Sequence, residues 1–152
     1  MPRFEFRLAT LLRVRENARD EKRAHLAEAY RAATVLEERH AEMTKEIAQT
    51  QAQAQQAASA VQPDLDYLLH SHRYAALLRA QLKTIEKQQA QVAAEVERRR
   101  LALVEADRQV RVLEKLREKR QQEFTMRELA REQKMFDEVA QYAPARLREV
   151  LP

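Results

Sequence analysis

The sequence predicts an all-α fold in which two long helices form an antiparallel coiled-coil hairpin, the second helix being longer and overhanging at its C-terminal end. Three observations lead to this fold class. The 152 residues include no Gly and only four Pro. The commonest residues are Ala, Arg, Glu, Leu and Gln, and these, together with Lys, favour helices. Apolar residues also recur at alternating steps of three and four, which is the heptad pattern of a left-handed coiled coil.

The composition also excludes several classes of protein. Sheet-rich folds and phosphate-binding loops depend on Gly at positions with positive φ, and this chain has none. The absence of Cys excludes disulfides, thiol catalysis and Cys-based zinc sites. No apolar run approaches about 20 residues and the first residues form no apolar signal segment, so we expect a cytoplasmic protein without direct membrane insertion.

Pro63 sets the position of the predicted turn, because a Pro inside a helix removes a hydrogen bond and clashes with the preceding turn. It suits the first turn of the second helix, and Asp64 and Asp66 suit the positive end of that helix. We therefore predict a single coiled-coil domain over residues 1–152, with helix one at about 4–60, the turn at about 61–64, helix two at about 65–141 and a short tail at 142–152.

The seam, meaning the line of residues along which the two helices meet, can be followed on both helices. On helix one it comprises Leu26, Ala29, Ala33, Leu36, His40, Met43, Ile47, Thr50, Ala54, Ala57 and Val61. On helix two it comprises Leu78, Leu82, Ile85, Gln89, Val92, Val96, Arg99, Leu103, Ala106, Val110 and Leu113. Most of these residues are apolar, whereas the remaining positions are mostly Glu, Gln, Lys and Arg, as a solvated surface requires.

The two ends of the chain depart from this regular pattern. Near the N-terminus a separate apolar run, joined to the seam by a stutter, comprises Phe4, Leu8, Leu11 and Ala18. Near the C-terminus the heptad spacing resumes at Met126, Leu129, Gln133, Phe136 and Ala140. We expect helix two to overhang its partner from about Phe124 onwards. An apolar stripe without an intramolecular mate indicates either fraying or a partner surface.

No combination of residues indicates catalysis, a metal or a cofactor. Of the four His, His40 lies on the seam, where we interpret it as a register residue. His70 and His72 are two residues apart and therefore face different sides of a helix. Because a narrow coiled coil excludes water poorly, we do not expect a preorganised active site.

Residues 98–120 are rich in Lys and Arg, within a chain of net charge +4. Such a stretch can bind phosphates or an acidic protein surface, or can simply be a solvated face with internal ion pairs. The interleaved acidic residues and the lack of stacking aromatics argue against nucleic acid. Just after the turn, Tyr67, Tyr74, Leu77 and Leu78 form a cluster that suits either seam packing or docking.

Two blocks at the ends of the chain resemble the FliJ family of flagellar type III export proteins. The opening block is Phe4-x-Phe6-x-Leu8-x-x-Leu11-Leu12-x-x-Arg15-Glu16. The closing block is Leu113-Glu114-Lys115-Leu116-Arg117-Glu118-Lys119-Arg120, followed by Glu132-Gln133-Lys134-Met135-x-Asp137-Glu138-x-Ala140. The resemblance covers nearly the whole chain. It implies a non-catalytic two-helix stalk that docks inside the hexameric export ATPase, promotes ring assembly and links the ring to the cytoplasmic domain of the export gate. It also implies an escort role for export chaperones, at the inner face of the cell membrane.

The matching blocks indicate which residues contact the ATPase. These candidates are Arg13, Arg15, Glu16, Arg117, Lys119, Arg120, Lys134, Asp137 and Glu138. Charged contacts suit a sliding or rotating fit, because a deep apolar interface would hold one register. Nearer the turn, the candidates for contact with the export gate are Tyr74, Leu78 and Ile85.

We expect a monomer that binds the export ATPase, the export gate and export chaperones, and no nucleic acid. The alternatives are a generic homodimeric coiled-coil scaffold, a virulence-type secretion stalk and a basic nucleic-acid-binding coiled coil.

Overall fold

The computed structural model describes residues 3–148 of the chain, and the side chains of residues 3–142. It contains two helices, α1 over Ala9–Ala58 and α2 over Leu65–Arg148, and the described residues include no strand. The predicted all-α hairpin with a longer second helix is therefore confirmed. Within the described residues, neither helix includes a segment long and apolar enough to cross a bilayer.

The start of α1 differs from the prediction. The helix begins at Ala9 rather than at about residue 4, because the chain before it takes a non-helical path. The Ala9 N–H donates to the carbonyl oxygen of Phe6 at 3.0 Å, and the Leu12 N–H donates to that of Leu8 at 2.9 Å. An acidic side chain in the first turn is a usual signal for a helix start, and the first turn of α1 has none. The sequence therefore placed this start too early.

The end of α1 is closed by Ser59. Its N–H and its hydroxyl both donate to the carbonyl oxygen of Gln55, at 3.2 Å and 2.9 Å. Since α1 ends at Ala58, Val61 lies beyond it and is fully exposed. The prediction that Val61 closes the seam of helix one is therefore wrong.

The start of α2 is capped by Asp64. Its Oδ1 accepts hydrogen bonds from the N–H groups of Asp66 at 3.0 Å and Tyr67 at 3.2 Å, which satisfies two donors that have no partner inside the helix. Asp66 lies in the first turn, as predicted. Pro63 precedes the cap instead of occupying the first turn, so that prediction is wrong.

The other end of α2 continues to Arg148, past residue 141 where the sequence predicted its end. Ala, Leu and Arg, which favour helices, are common in this last stretch. The predicted tail is thus helical as far as Arg148, and its last residues, 149–152, lie outside the described residues.

Packing divides the chain into two units. We call Arg19–Glu105 the turn unit, and Met1–Ala18 together with Ala106–Pro152 the terminal unit. In each unit a part of α1 packs against a part of α2 that runs in the opposite direction. The single domain over residues 1–152 stays a prediction.

The turn unit has the seam that the heptad pattern predicts. The predicted seam residues that it buries are Ala29, Ile47, Leu78 and Ile85. Ala75, which precedes the predicted start of the seam on α2, is buried as well. The other predicted seam residues of this unit, from Leu26 to Ala57 on α1 and from Leu82 to Leu103 on α2, are partly buried. Ser71 is also buried, so the seam extends further toward the start of α2 than the apolar pattern indicated.

The terminal unit is centred on Leu12 and Val110, both of which are buried. The predicted run through Leu8 and Leu11 is wrong at both positions, since each is exposed. That run was counted from Phe4 at helical spacing, but Phe4 precedes the helix. Counted from Ala9 onward, Leu12 takes the seam position.

The N-terminal segment covers one further part of α2. Phe4 packs on Phe124, with ring centroids 5.8 Å apart and the ring planes at 51°. Phe124 is therefore partnered, and the prediction that it belongs to the overhang is wrong. Beyond it the predicted stripe is exposed at Met126, Leu129, Met135 and Phe136.

Candidate partner-binding surfaces

All the predicted ATPase-contact residues lie in the terminal unit. Arg13, Arg15 and Glu16 belong to its α1 part, and the predicted contacts from 117 onward belong to its α2 part. A direct contact joins the two parts, because Arg15 Nη1 donates to Gln109 Oε1 at 2.8 Å. Antiparallel packing thus brings two distant stretches of sequence into one unit.

The α1 contacts do not form a single patch. Arg13 and Arg15 are both exposed but are two residues apart, so they face different sides of the helix. Glu16 is partly buried. Within residues 3–142 the Arg13 side chain makes no hydrogen bond or ion pair, whereas Arg15 is engaged with Gln109. Arg13 is therefore the more available of the two for a partner.

The first α2 group consists of Arg117, Lys119 and Arg120, all of which are exposed. Arg117 and Arg120 are three residues apart and share a face, while Lys119 lies on another side. Arg120 Nη1 is 3.8 Å from Glu123 Oε2, a long ion pair at the surface. Arg117 and Lys119 make no side-chain hydrogen bond or ion pair within the described side chains.

The second α2 group consists of Lys134, Asp137 and Glu138, which share one face of the helix and are exposed. No ion pair involves them in the part of the chain whose side chains are described. Between them lie Met135 and Phe136, which are also exposed. This part of α2 offers a partner charges of both signs beside apolar side chains.

The predicted export-gate residues are divided by burial. Leu78 is 4% exposed and Ile85 is 9% exposed, because both belong to the seam of the turn unit. They cannot contact a partner while the seam is closed, so a direct docking role for them is not compatible with the packing. Tyr74, in contrast, is 45% exposed.

Tyr74 lies on an exposed aromatic face of the turn unit. Its hydroxyl donates to the carboxylate of Glu46 on α1, and this hydrogen bond, together with burial, raises the pKa of Tyr74. Tyr67 and Leu77 are exposed on nearby positions of α2. We call Tyr67, Tyr74 and Leu77 the aromatic face.

The start of the basic stretch is largely neutralised by neighbours on the same helix. Glu95 Oε1 accepts hydrogen bonds from Arg98 Nη2 at 2.6 Å and from Arg99 Nε at 2.7 Å. These bonds lower the pKa of Glu95 to about 2. Hydrogen bonds from Arg100 lower the pKa of Glu97 in the same way. This part of the stretch matches a solvated surface with internal ion pairs better than a phosphate-binding site.

Arg99 also crosses the seam. Its Nη1 donates to the backbone carbonyl oxygen of His25 at 2.6 Å and lies 3.6 Å from Glu28 Oε2. A polar residue at a seam position fixes the register of a coiled coil, because a shift would leave it without its partners. Arg99 is therefore a structural feature of the turn unit.

His40 lies on the seam and is partly buried, with its Nε2 3.6 Å from Glu86 Oε1. Its register role stays a prediction. In the described part of the chain, no cluster of three or more His, Asp or Glu side chains is placed to hold a metal ion.

Sequence reasoning missed a groove in the terminal unit. We call it the Phe–Arg groove; it has a volume of about 640 Å³ and is lined mainly by Phe4, Phe6, Phe124, Arg3, Arg7, Arg120 and Arg127. The available signal was the order Arg-Phe-Glu-Phe-Arg at residues 3–7. It could not identify the groove alone, because Phe124, Arg120 and Arg127 come from the far end of the chain.

A protein-family model described as Flagellar FliJ protein matches residues 4–149. The matched range includes both helices and both end blocks. No curated protein and no solved structure matches the chain.

Proposed function

Because the chain belongs to the FliJ family and is thus a component of the flagellar export apparatus, we propose that it is the non-catalytic central stalk of the hexameric export ATPase. In this role it promotes assembly of the ATPase ring. The observation that carries the proposal is the composition of the terminal unit. This unit combines the two end blocks and leaves nearly all of their predicted contact residues exposed.

The exposed charges suit a contact that forms and breaks repeatedly. An exposed ion pair contributes only about 1 kcal/mol or less. Several such pairs attract a partner quickly and hold it without fixing one register. A stalk inside a ring whose subunits change conformation needs contacts of this reversible kind. A deep apolar interface would hold the stalk in one register.

The cytoplasmic domain of the export gate is the second proposed partner, and the aromatic face is its proposed site. Tyr67, Tyr74 and Leu77 supply exposed apolar and aromatic area, which dominates many protein interfaces. Leu78 and Ile85 act beneath this face by holding α2 against α1. Export chaperones are further proposed partners, and the proposed location is the cytoplasm at the inner face of the cell membrane.

The test is a mixture of the full chain with the purified export ATPase, in which ATP hydrolysis and ring assembly are measured. The wild-type chain should stimulate both. A triple charge reversal, Arg117→Glu, Lys119→Glu and Arg120→Glu, should raise the concentration needed for half-maximal stimulation about tenfold, because attraction becomes repulsion.

The matched control reverses three Lys of the turn unit, Lys45→Glu, Lys83→Glu and Lys87→Glu. These side chains are exposed and make no ion pair within residues 3–142. Both variants replace three cationic side chains by Glu, so they change the net charge of the chain equally. The control should stimulate like wild type. Absence of stimulation by the wild-type chain, or an equal loss in both triple variants, would contradict the stalk role.

A homodimeric scaffold is the second candidate, and the exposed stripe at Met126, Leu129 and Phe136 favours it. A dimer formed through this stripe should melt at a higher temperature as its concentration increases, whereas a monomeric hairpin should not. Sedimentation equilibrium and thermal unfolding followed by circular dichroism distinguish the two.

A further inference from the structure

The floor of the Phe–Arg groove is apolar and held in place. Phe4, Phe6 and Phe124 are all partly buried, and the rings of Phe4 and Phe124 contact each other at a centroid distance of 5.8 Å. Their remaining area faces the groove. The groove volume of about 640 Å³ lies in the range typical of binding pockets, about 300–1,000 Å³.

The rim of the groove has an excess of positive charge. Arg3 and Arg7 make no side-chain hydrogen bond or ion pair within residues 3–142. Arg127 Nε donates to the backbone carbonyl oxygen of Glu123 at 3.2 Å, which orients the guanidinium without neutralising it. Only Glu5 brings negative charge to the lining itself.

We infer that the Phe–Arg groove binds a segment of a partner protein in which acidic side chains flank an apolar side chain. Guanidinium groups bind carboxylates with paired, charge-assisted hydrogen bonds. The apolar side chain would contact Phe6 and Phe124 and exclude water from those pairs. Arg120 lines the groove and is also a proposed ATPase contact. The inference does not rest on the proposed stalk role, because the other charged and aromatic residues that carry it, Arg3, Phe6, Arg7 and Arg127, are not among the residues assigned to the ATPase.

Two other occupants fit the groove less well. Stacking of nucleic-acid bases needs open ring faces, but the rings of Phe4 and Phe124 are tilted against each other at 51°, and Glu5 would repel phosphates. A second copy of the chain could offer its exposed Phe136 with Asp137, but Lys134 lies on the same face as Asp137 and would meet the Arg rim.

The test measures fluorescence anisotropy of a labelled short peptide that has Asp and Glu on both sides of a central Leu-Phe pair. It should bind the full chain, and a double variant, Arg3→Ala with Arg7→Ala, should weaken binding about tenfold. The matched control, Arg73→Ala with Arg79→Ala, removes two exposed Arg of the turn unit and should leave binding unchanged.

A second comparison isolates the apolar part of the contact. Replacing the Leu-Phe pair of the peptide by Ser-Ser should weaken binding at least tenfold, as should Phe6→Ala, while Phe6→Leu should retain most of it. Circular dichroism monitors folding of each variant. Arg3 and Arg7 precede α1, so we expect the Arg3→Ala/Arg7→Ala variant to keep both helices. This variant therefore tests the inference even if Phe6→Ala perturbs the terminal unit.

Three results would overturn the inference. These are equal binding of the Leu-Phe and Ser-Ser peptides, tighter binding of a single-stranded oligonucleotide than of the peptide, and a concentration-dependent dimer that the Arg3→Ala/Arg7→Ala variant abolishes. The ATPase assay is a separate readout. Normal stimulation by a variant that has lost peptide binding would support a site distinct from the stalk contacts.

Discussion

The turn unit and the terminal unit contain parts of the same two helices but hold them together differently. Along its length the turn unit buries Ala29, Ile47, Ala75, Leu78 and Ile85. In the described part of the terminal unit, the buried apolar residues are Leu12 and Val110, supported by the Phe4–Phe124 pair. The difference indicates that the turn unit supplies most of the packing, while the terminal unit keeps more of its side chains available for partners.

Small and polar seam residues strengthen the contrast. Buried Ala29, Ala75 and Ser71 let the helices of the turn unit approach closely, and the hydrogen bond from Arg99 to the His25 carbonyl fixes their register. In the terminal unit the corresponding polar contact joins Arg15 to Gln109. Both of these hydrogen bonds are exposed, so the contrast between the units lies in the small buried residues. Substitutions that remove seam contacts should thus cost most in the turn unit.

The largest expected effect comes from Leu78→Ala. Leu78 is almost fully buried, so its truncation leaves a cavity in the seam and should lower the free energy of unfolding by about 3 kcal/mol. Urea unfolding followed by circular dichroism measures the change. The control is Leu77→Ala, the same substitution at the next position, which is 55% exposed and should have an effect below about 0.5 kcal/mol. If the two variants lost similar amounts of unfolding free energy, Leu78 would not be a buried seam residue.

The same comparison in the terminal unit should give a smaller effect. Val110 is fully buried, and Val110→Ala removes two methyl groups, which should lower the free energy of unfolding by about 1.5 kcal/mol. Val112→Ala is the control, since Val112 is exposed. If Val110→Ala destabilised the chain more than Leu78→Ala, the terminal unit would be the better packed of the two and the contrast would be reversed.

The heptad pattern predicted the seam of the turn unit well, including its polar members Gln89 and Arg99. It could do so because one spacing rule governs every turn of two packed helices. It missed Ala75 and Ser71 near the start of α2. A buried small polar residue such as Ser71 looks like a surface residue in a pattern of apolar positions. Leu78 and Ile85, which the pattern places on the seam, were also predicted to contact the export gate, because a seam residue and a docking residue can have the same apolar side chain.

The terminal unit was harder to predict because its features are not periodic. Residues 3–6 are not helical, so counting from Phe4 led to Leu11 instead of Leu12. The Phe–Arg groove depends on contacts between opposite ends of the chain, which no local pattern contains. The sequence did identify exposed charges such as Arg117 and Lys134, since charged residues outside a seam are normally solvated.

The smallest expected effect concerns the acid dependence of the turn unit. Hydrogen bonds from Arg98 and Arg99 hold the pKa of Glu95 at about 2, below its ordinary value of 4.5. Because the folded-state pKa is the lower one, the stabilisation is fully present above about pH 4.5 and is lost as the pH falls toward about 2.

The variant Glu95→Gln should remove this contribution, so its urea midpoint should fall less than that of wild type between pH 7 and pH 3. Glu38→Gln is the control, since Glu38 is exposed on α1 of the same unit and has no ion pair within residues 3–142. It should keep the wild-type acid dependence. Identical acid dependence in the two variants would mean that the Arg98–Glu95–Arg99 contacts do not persist in solution. The polar support of the turn unit would then be weaker than its geometry indicates, and the contrast with the terminal unit would rest on apolar packing alone.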